Sequence, residues 1–241
     1  MQATITTVSQ RIYGFFSWLI FISVIIPTIC LLAVIPGQLN RRVIAKKAAA
    51  LIFFVTGVTP RVIGYENLPD EGSVVVANHA SYLDGIILTA VLPPRFTFVI
   101  KREMSRIPFA SFLLRRIGSE FVDRARNQRN MIDARRIMYV AGTGRSLVFF
   151  PEGSIRHETG LRHFHQGAFA AAKRGNLKLV PVAIRGSRDM LPAKQVLPIR
   201  ATLEVVIKPA ISPESAQTSI RDLLQVCRNS ILEDLNEPDT P

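Results

Sequence analysis

The feature that most constrains this chain is a stretch of 21 residues without a charged side chain, from Phe15 to Ile35. A helix of that length extends roughly 30 Å, at about 1.5 Å per residue, which matches the thickness of a bilayer core. Tyr13 and Trp18 lie near one end, where aromatic side chains commonly meet the lipid–water interface. A secretory signal would have a shorter apolar segment and a small-residue cleavage site. The stretch therefore predicts a membrane-anchoring helix.

Cations and a second apolar stretch follow the first. The cations are Arg41, Arg42, Lys46 and Lys47. Arg11 alone precedes the apolar stretch, and the flank richer in cations usually faces the cytoplasm. The second stretch, Ala48 to Val58, is too short to cross a bilayer, so it either lies in the interface or forms a shallow hairpin with the first. We predict an anchoring segment over residues 1–58 and a separate domain over residues 59–241, with a full span and a one-leaflet anchor both open.

The composition narrows the class of partner. A net charge of +12 predicts an anionic partner, such as nucleic acid, an anionic membrane surface or a phosphorylated substrate. A hydrophobic content of 48% and a mean hydropathy of +0.24 favour the membrane, because a soluble nucleic-acid-binding protein does not need so much apolar sequence. Cys30 and Cys227 form no C-x-x-C pair, so neither a disulfide framework nor a zinc site is predicted, and a reducing cytoplasm fits.

From Thr59 onward, strand-type and helix-type apolar patterns alternate. Strands are predicted at Arg61–Gly64, Val74–Ala77, Arg95–Ile100, Glu120–Val122, Ser146–Phe150, Leu179–Ile184 and Ala201–Ile207. Helices are predicted at Ser81–Val91, Pro108–Ile117, Gln128–Ala141, Gly167–Arg174 and Ser219–Leu235. Such alternation predicts an α/β fold, in which a mostly parallel sheet is covered by helices on both faces. The last residues, from Glu237 to Pro241, are expected to be frayed.

The stretch from Val74 to Gly85 places polar chemistry at the end of a strand. Its first residues are β-branched, and His79 follows them just before a helical pattern begins. Open α/β sheets bind their ligands at the carboxyl ends of strands. His79 could act there as a base if Asp84 accepts its Nδ1–H, because that bond fixes the tautomer and leaves Nε2 free. The spacing also fits a capping box with Ser81 as N-cap, so spacing alone leaves both roles open.

Three further stretches with charged or hydroxyl side chains follow predicted strands. They are Lys101-Arg102-Glu103, Gly118 to Arg124, and Phe149 to Arg156. If the sheet is parallel, all three reach the same edge as His79, and the pocket then holds one base and several cations. Arginine binds phosphate bidentately, and the turn at Gly153-Ser154 can offer backbone N–H groups to an anion.

Four of these segments, taken in order, resemble the sequence blocks of the glycerolipid acyltransferases. They are N-H-x-x-x-x-D at 78–84, G-x-x-F-V-D-R at 118–124, F-P-E-G-S at 150–154 and V-P-V at 180–182. The likeness is greatest to the bacterial 1-acyl-sn-glycerol-3-phosphate acyltransferases and covers roughly residues 45 to 210. It implies transfer of a fatty acyl group from acyl-CoA or acyl carrier protein to 1-acyl-glycerol-3-phosphate, giving phosphatidic acid. It further implies a bacterial inner membrane with the catalytic domain facing the cytoplasm, and neither a cofactor nor a metal.

The resemblance also assigns roles by position. His79 would be the general base that takes the proton of the acceptor hydroxyl, and Asp84 would orient it. The glycerol phosphate would be bound by Arg124, Glu152, Gly153 and Ser154, with Lys101 and Arg156 assisting. The acyl-chain side would be lined by Val180, Pro181 and Val182. From the turn itself, we infer that backbone amides near Gly153 stabilise the oxyanion of the tetrahedral intermediate.

Departures from the family pattern keep alternatives open. His165 stands where relatives often have lysine, which leaves room for another lysolipid acceptor, either a lysophospholipid with a larger head or a lyso-ornithine lipid. From a different class, the dense arginines would suit a basic membrane-surface or nucleic-acid-binding module, although aromatic residues for base stacking are not interleaved among them. Arg135 and Arg136 are instead interpreted as docking an acidic acyl carrier protein or anionic lipid heads. A serine hydrolase is disfavoured, because the chain has no G-x-S-x-G motif.

Overall fold

The computed structural model describes residues 2–123, 128–155, 158–213, 219–235 and 237–240. In chain order its elements are α1 (Gln2–Val34), α2 (Gln38–Val55), β1 (Arg61–Ile63), β2 (Ser73–Ala77), α3 (Asp84–Val91), β3 (Thr97–Lys101), α4 (Pro108–Arg116), β4 (Glu120–Val122), α5 (Gln128–Gly142), β5 (Leu147–Phe149), α6 (Gly167–Gly175), β6 (Lys178–Arg185), α7 (Ser187–Met190), β7 (Glu204–Ile207) and α8 (Ile220–Leu232). Each strand and helix predicted after Thr59 is present, and its ends move by at most three residues.

The strands form one sheet in the order β1-β7-β6-β2-β5-β3-β4. The five strands from β6 to β4 are parallel, whereas β7 is antiparallel to β6 and pairs in parallel with β1. The predicted mostly parallel sheet is thus confirmed, with two strands at one edge running the opposite way. Because β2, β5, β3 and β4 run in the same direction, their carboxyl ends open at one edge, as the prediction of a shared pocket requires.

Both faces of the sheet are covered by helices, which explains the uninterrupted apolar sequence of β2. Val74 and Val76 pack in a core with residues of α5, α6 and α8. Val75 and Ala77 point the other way and pack with residues of α2 and α3. All four side chains are fully buried. The strand that leads to His79 is therefore fixed from both sides.

Helix α2 belongs to the protein core, although its second half falls in the stretch that the sequence placed either in the membrane interface or in a shallow hairpin with the first stretch. Phe53 is buried in the same core as α3. The Arg42 guanidinium donates to oxygens around the starts of β3 and β4 at 2.6 to 3.0 Å. Lys46 Nζ donates to the carbonyls of Val91 and Leu92, both at 3.0 Å, at the carboxyl end of α3. Burial lowers the pKa of both cations. Arg41 Nε also donates to the Ile35 carbonyl, at 2.8 Å. Three of the four cations that oriented the chain in the membrane are thus bound to protein carbonyls.

Helix α1 lies along the outside of the domain and contacts it near both ends. At one end Gly14 approaches the loop after α7 so closely that a Cβ would lie 2.8 Å from Leu197 Cβ. At the other end Arg116, in α4, donates to the carbonyls of Leu32 and Ala33, both at 2.6 Å. Between these points most large apolar side chains of α1 are exposed. Within the described ranges, the segment Val8–Val34 is the one helix that by length and composition could cross a membrane.

Residues 237–240 are held against the domain, so the prediction that they fray is wrong. Pro241, the last residue of that prediction, lies outside the described residues. The Leu161 N–H donates to the Pro238 carbonyl at 3.0 Å, and the Thr240 N–H donates to the Leu161 carbonyl at 3.2 Å. These bonds form a short parallel bridge between Leu161 and Asp239. The prediction failed because a chain end is ordered by tertiary contacts, which its position in the sequence does not reveal.

Candidate active site

A reciprocal amide pair sets the position of His79 at the end of β2. Asn78 Nδ2 donates to the Ile184 carbonyl at 3.0 Å, and the Ile184 N–H donates to Asn78 Oδ1 at 2.7 Å. The Asn78 side chain is buried, and it bonds to β6 as one more residue of a paired strand would. The backbone can therefore leave the sheet at His79 without an unpaired buried amide. The sequence had assigned no role to Asn78.

His79 and Asp84 form the contact that their spacing predicted. His79 Nδ1 lies 3.0 Å from Asp84 Oδ2, and the same oxygen accepts the backbone N–H groups of Ala80 and Ser81, both at 2.8 Å. Asp84 is fully buried, whereas the His79 side chain is 20% exposed. Because Oδ2 accepts two backbone donors, it is the acceptor toward His79 as well, and the proton lies on Nδ1. Nε2 then keeps its lone pair and can accept a proton.

Asp84 also performs part of the capping role. Helix α3 begins at Asp84, and the residue before it, Leu83, makes no side-chain cap. The Ser81 hydroxyl accepts the Leu83 N–H at 3.2 Å and donates to the Leu191 carbonyl at 2.8 Å. Only the half of the capping box in which Asp84 accepts the Ser81 N–H is therefore formed. The two roles considered for Asp84 are compatible, because one carboxylate oxygen serves both.

Phe150 covers one face of the His79 ring. Their ring centroids are 4.2 Å apart and the planes are inclined by 20°. Phe150 directly follows β5, the strand next to β2, so the sheet order brings it beside His79. No residue in the described part of the chain bonds to His79 Nε2. The ring is thus held on its Asp84 side and its Phe150 face, and its other nitrogen is available.

Glu152 connects His79 with a second backbone segment. Its Oε1 accepts the His79 N–H at 2.6 Å, and its Oε2 accepts the Arg162 N–H at 3.2 Å. The side chain is 5% exposed, and this burial raises the pKa of Glu152, while the two N–H donors oppose the rise. A carboxylate whose oxygens both serve backbone donors is poorly suited to contact a phosphate. The geometry assigns Glu152 to positioning His79, and its predicted contact with the phosphate stays a prediction.

The turn after Glu152 contains Gly153 and Ser154, two further residues predicted to bind the phosphate. Gly153 has a φ of +86°, a conformation that favours glycine, and its N–H donates to the Phe150 carbonyl at 3.2 Å. The Gly153 N–H is therefore bonded within the turn, and stabilisation of the oxyanion by the backbone amides near Gly153 stays a prediction. Arg162 Nη1 donates to the carbonyl and the hydroxyl of Ser154 at 3.2 and 3.3 Å. Arg162 therefore adds a cation beside Ser154 that the sequence did not single out.

The remaining predicted phosphate ligands are only partly described. Lys101 ends β3, two strands from β2, which is about 10 Å along the sheet edge. Its Nζ lies 3.3 Å from Glu103 Oε1, and its side chain is 43% exposed. Arg124 and Arg156 lie outside the described residues. Lys101 is therefore at the predicted edge but farther from His79 than the turn that carries Ser154.

The three residues predicted to line the acyl chain lie inside β6. Val180, Pro181 and Val182 are buried, and Val182 is paired with Ala77 in the sheet. Val180 and Val182 pack in the core shared with α2 and α3. They support the strand that carries His79, and their contact with an acyl chain stays a prediction.

The two arginines predicted to dock an acidic partner differ in their surroundings. Arg136 lies 2.9 Å from Glu120 and 3.3 Å from the buried Asp133, so its charge is paired with carboxylates at the sheet edge. Arg135 is exposed on α5. Both side chains are exposed, and Arg136 is the one that also forms these ion pairs. Docking through this pair stays a prediction.

Comparison with known proteins gives the class of this site. The sequence model of the acyltransferase family matches residues 59–185, which include His79, Asp84 and the turn at Glu152. A 1-acyl-sn-glycerol-3-phosphate acyltransferase from Saccharomyces cerevisiae is 28% identical over 75% of this chain and 61% of that protein. A lyso-ornithine lipid O-acyltransferase from Pseudomonas aeruginosa is 31% identical over 83% of this chain and 69% of that protein. The chain thus spans less than two thirds of the yeast relative.

A solved structure supports the same fold. The 1-acyl-sn-glycerophosphate acyltransferase PlsC from Thermotoga maritima superposes with a TM-score of 0.75 over 97% of this chain and 95% of that one, at 18% identity. The alternative of a basic binding module without catalysis is not retained, because the family match covers the segment that carries His79 and Asp84. On the family match and the Pseudomonas relative together, the chain belongs to the acyltransferase family.

Proposed function

We propose that this protein transfers a fatty acyl group from an acyl thioester to the free hydroxyl of 1-acyl-glycerol-3-phosphate, giving phosphatidic acid. The observation that carries the proposal is the 3.0 Å contact between His79 Nδ1 and Asp84 Oδ2 at a strand end, where none of the described residues bonds to Nε2. The similarity to the yeast 1-acyl-sn-glycerol-3-phosphate acyltransferase supports this acceptor. The acyl donor would be acyl-CoA or acyl carrier protein loaded with a fatty acyl thioester. Either donor is a substrate and not a cofactor.

In the proposed reaction, His79 Nε2 accepts the proton of the acceptor hydroxyl as its oxygen attacks the thioester carbonyl carbon. Asp84 stabilises the imidazolium that results, because its carboxylate holds the Nδ1 proton. The tetrahedral intermediate collapses by breaking the C–S bond, and the leaving thiolate takes the proton back from Nε2. Acyl transfer is direct, so no acyl-enzyme forms. Phe150 keeps the ring in its plane and excludes water from one face.

The acceptor phosphate would bind on the side of the turn that contains Ser154. Arg162 Nη1 is at 3.2 to 3.3 Å from Ser154 oxygens, so its guanidinium lies at this turn. A guanidinium binds phosphate through paired N–H donors. Arg124, Arg156 and Lys101 would complete the anion site from neighbouring strand ends. The net charge of +12 also favours the approach of anionic lipid.

The protein would lie on one leaflet of a bacterial inner membrane, with its catalytic domain in the cytoplasm. The contacts at Gly14 and Ala33 are roughly 28 Å apart along α1, close to a full hydrocarbon core. If α1 crossed the bilayer, the domain segments bound at its two ends would have to enter the hydrocarbon. A helix that lies along the interface with its exposed apolar side chains in lipid avoids that cost.

Charged substitutions on the exposed face of α1 should release the protein from membranes. We expect the triple variant Phe15→Asp, Leu19→Asp, Ile26→Asp to bind vesicles at least about tenfold more weakly, because each buried apolar side chain contributes roughly 1.5–3 kcal/mol. Flotation with vesicles of phosphatidylethanolamine and phosphatidylglycerol measures this. Ile132→Asp with Tyr139→Asp, on the exposed face of α5, is the control and should float like the parent. Flotation of the α1 variant equal to that of the control would contradict the placement.

The acceptor is tested by acyl transfer to a panel of lysolipids. Purified protein with vesicles is given acyl-CoA or acyl-loaded acyl carrier protein. Each donor is paired with lysophosphatidic acid, lysophosphatidylethanolamine or lyso-ornithine lipid. We expect phosphatidic acid to form at least about tenfold faster than the other products, since only that acceptor presents a bare phosphate to the cations. The lyso-ornithine lipid is the second candidate, because the Pseudomonas relative carries that name.

The outcomes of the panel test the identity of the acceptor separately from the proposed acyl transfer itself. Transfer only to lyso-ornithine lipid would keep the chemistry at His79 and reject the phosphate acceptor. Transfer to none of the acceptors from either donor would reject the proposed function.

A further inference from the structure

The residues at the C-terminal end form what we call the C-terminal strap, residues 237–240, which lies on the segment just before Arg162. Glu237 Oε2 accepts the Gly160 N–H at 2.9 Å. The Leu161 N–H donates to the Pro238 carbonyl, and the Thr240 N–H donates back to the Leu161 carbonyl, at 3.0 and 3.2 Å. Three hydrogen bonds thus hold two consecutive residues of this segment.

Arg228 holds the same segment from the side of α8. Its Nε donates to the Arg162 carbonyl at 3.1 Å and its Nη2 to the Leu161 carbonyl at 2.6 Å, and Nη2 also bonds to Asp239 of the strap. The Arg228 side chain is 7% exposed and sits in the buried stripe of α8 beside Cys227. A buried guanidinium is costly unless its donors are satisfied. Here they are satisfied by the segment and the strap.

The strap is tied to the sheet by a second arginine. Arg188 Nε lies 2.7 Å from Glu237 Oε1, and Arg188 Nη2 lies 3.1 Å from Glu237 Oε2. Arg188 is in α7, which follows β6, the neighbour of the strand that carries His79. The Glu237 carboxylate therefore joins α7 to Gly160.

The held segment leads directly to the base. The Arg162 N–H donates to Glu152 Oε2 at 3.2 Å, and Glu152 Oε1 accepts the His79 N–H at 2.6 Å. We propose that the C-terminal strap and Arg228 position His79 by fixing the Arg162 amide against Glu152. Glu237 and Arg228 are thus positioning residues for the proposed acyl transfer, on which this inference rests. They act through Glu152 and do not touch the substrate.

The test compares two acidic residues near the C-terminus whose ion pairs are similarly buried. Glu237→Ala removes a pair whose side chains are 15% and 22% exposed. Asp234→Ala, the control, removes the pair of Asp234 with Lys208, whose side chains are 24% and 22% exposed. Among the described residues, the ion pairs of Asp234 and Lys208 are with each other and with Glu233, and none involves residues 160–162. We expect Glu237→Ala to lower kcat by about tenfold with KM values for donor and acceptor within twofold, because a displaced base slows the chemical step. The control should keep the parental kcat at a comparable loss of thermal stability.

Glu237→Gln provides a graded variant. Its amide oxygen can still accept the Gly160 N–H, while the charge toward Arg188 is lost. We expect a kcat between those of the parent and Glu237→Ala. Equal kcat values for Glu237→Ala and Asp234→Ala would overturn the proposal, as would a loss confined to KM.

A second measurement does not depend on acyl transfer. Amide hydrogen exchange in the full chain reports the N–H groups of His79 and Arg162, which both donate to Glu152. We expect them to exchange at least about tenfold faster in Glu237→Ala than in Asp234→Ala, because the segment around Gly160 is freed. If both amides exchange equally in the two variants, the coupling to His79 is absent. A parent that transfers no acyl group in the panel rejects the proposed function, and the exchange result still decides whether the strap holds the loop.

Discussion

Replacing His79 with alanine should lower kcat for acyl transfer by about 10³-fold, because the acceptor hydroxyl then has no base to take its proton. The KM values of both substrates should change little, since the ring contributes mainly to the transition state. Steady-state kinetics with acyl-CoA and lysophosphatidic acid measures the loss. The folded structure should persist, because the side chain is partly exposed and its backbone N–H, which bonds to Glu152, remains.

His163→Ala is the matched control for this variant. His163 is an exposed histidine outside β2, so its removal should leave kcat within twofold of the parent. A His79→Ala protein with more than a tenth of the parental kcat would show that another group takes the proton. A normal near-UV circular dichroism spectrum for each variant is required before the rates are compared.

Asp84→Asn should lower kcat by about 10²- to 10³-fold. Asp84 Oδ2 accepts three N–H donors, whereas the buried Oδ1 has no hydrogen-bond partner. An asparagine can place its oxygen at the Oδ2 position, and its amide nitrogen then lies at the buried Oδ1 position, where the described residues offer no acceptor. That unsatisfied amide should cost about 1–3 kcal/mol in the free energy of unfolding. The contacts then persist without the negative charge, which the imidazolium of His79 needs.

Asp84→Ala separates charge from structure at the same position. It leaves the N–H groups of Ala80 and Ser81 without an acceptor, which should cost about 2–6 kcal/mol in the free energy of unfolding, at about 1–3 kcal/mol for each buried donor. Urea unfolding measures that cost in both variants. Asp84→Asn with the parental kcat would mean that Asp84 only starts α3 and has no part in acyl transfer.

The secondary structure of residues 59–241 could be predicted because each strand carries its own pattern. The β-branched sequence of β2 is buried on both faces, so it has the continuous apolar character of a central parallel strand. Helix α2 could not be assigned in the same way. Its cations at Arg42 and Lys46 are typical of a membrane flank in sequence, and only the folded chain shows the carbonyls that they bind.

In the candidate site as well, contacts between residues close in sequence could be predicted, and contacts between distant elements could not. His79 and Asp84 are five residues apart, so a strand end and a helix start bring them together without help from elsewhere. Glu152 is 73 residues from His79, and its sequence motif marks it as important without saying which amides it meets. A signal for Arg228 was present, since a lone cation interrupts the apolar stripe of α8. Its partners at residues 161 and 162 could not be inferred, because they lie on a different element.

The central place of β2 in the sheet has a consequence for the order in which the protein folds. β2 pairs with β5 and β6, through Val74 with Leu147 and through Ser73 with Lys178, so its neighbours come from much later in the chain. Pairings of such sequence separation form slowly, because a long loop must close before the contact is made. Helix α1 needs no such closure, and it can reach lipid while the ribosome is still adding the later strands. The catalytic domain is then expected to fold on the membrane surface to which α1 has already bound.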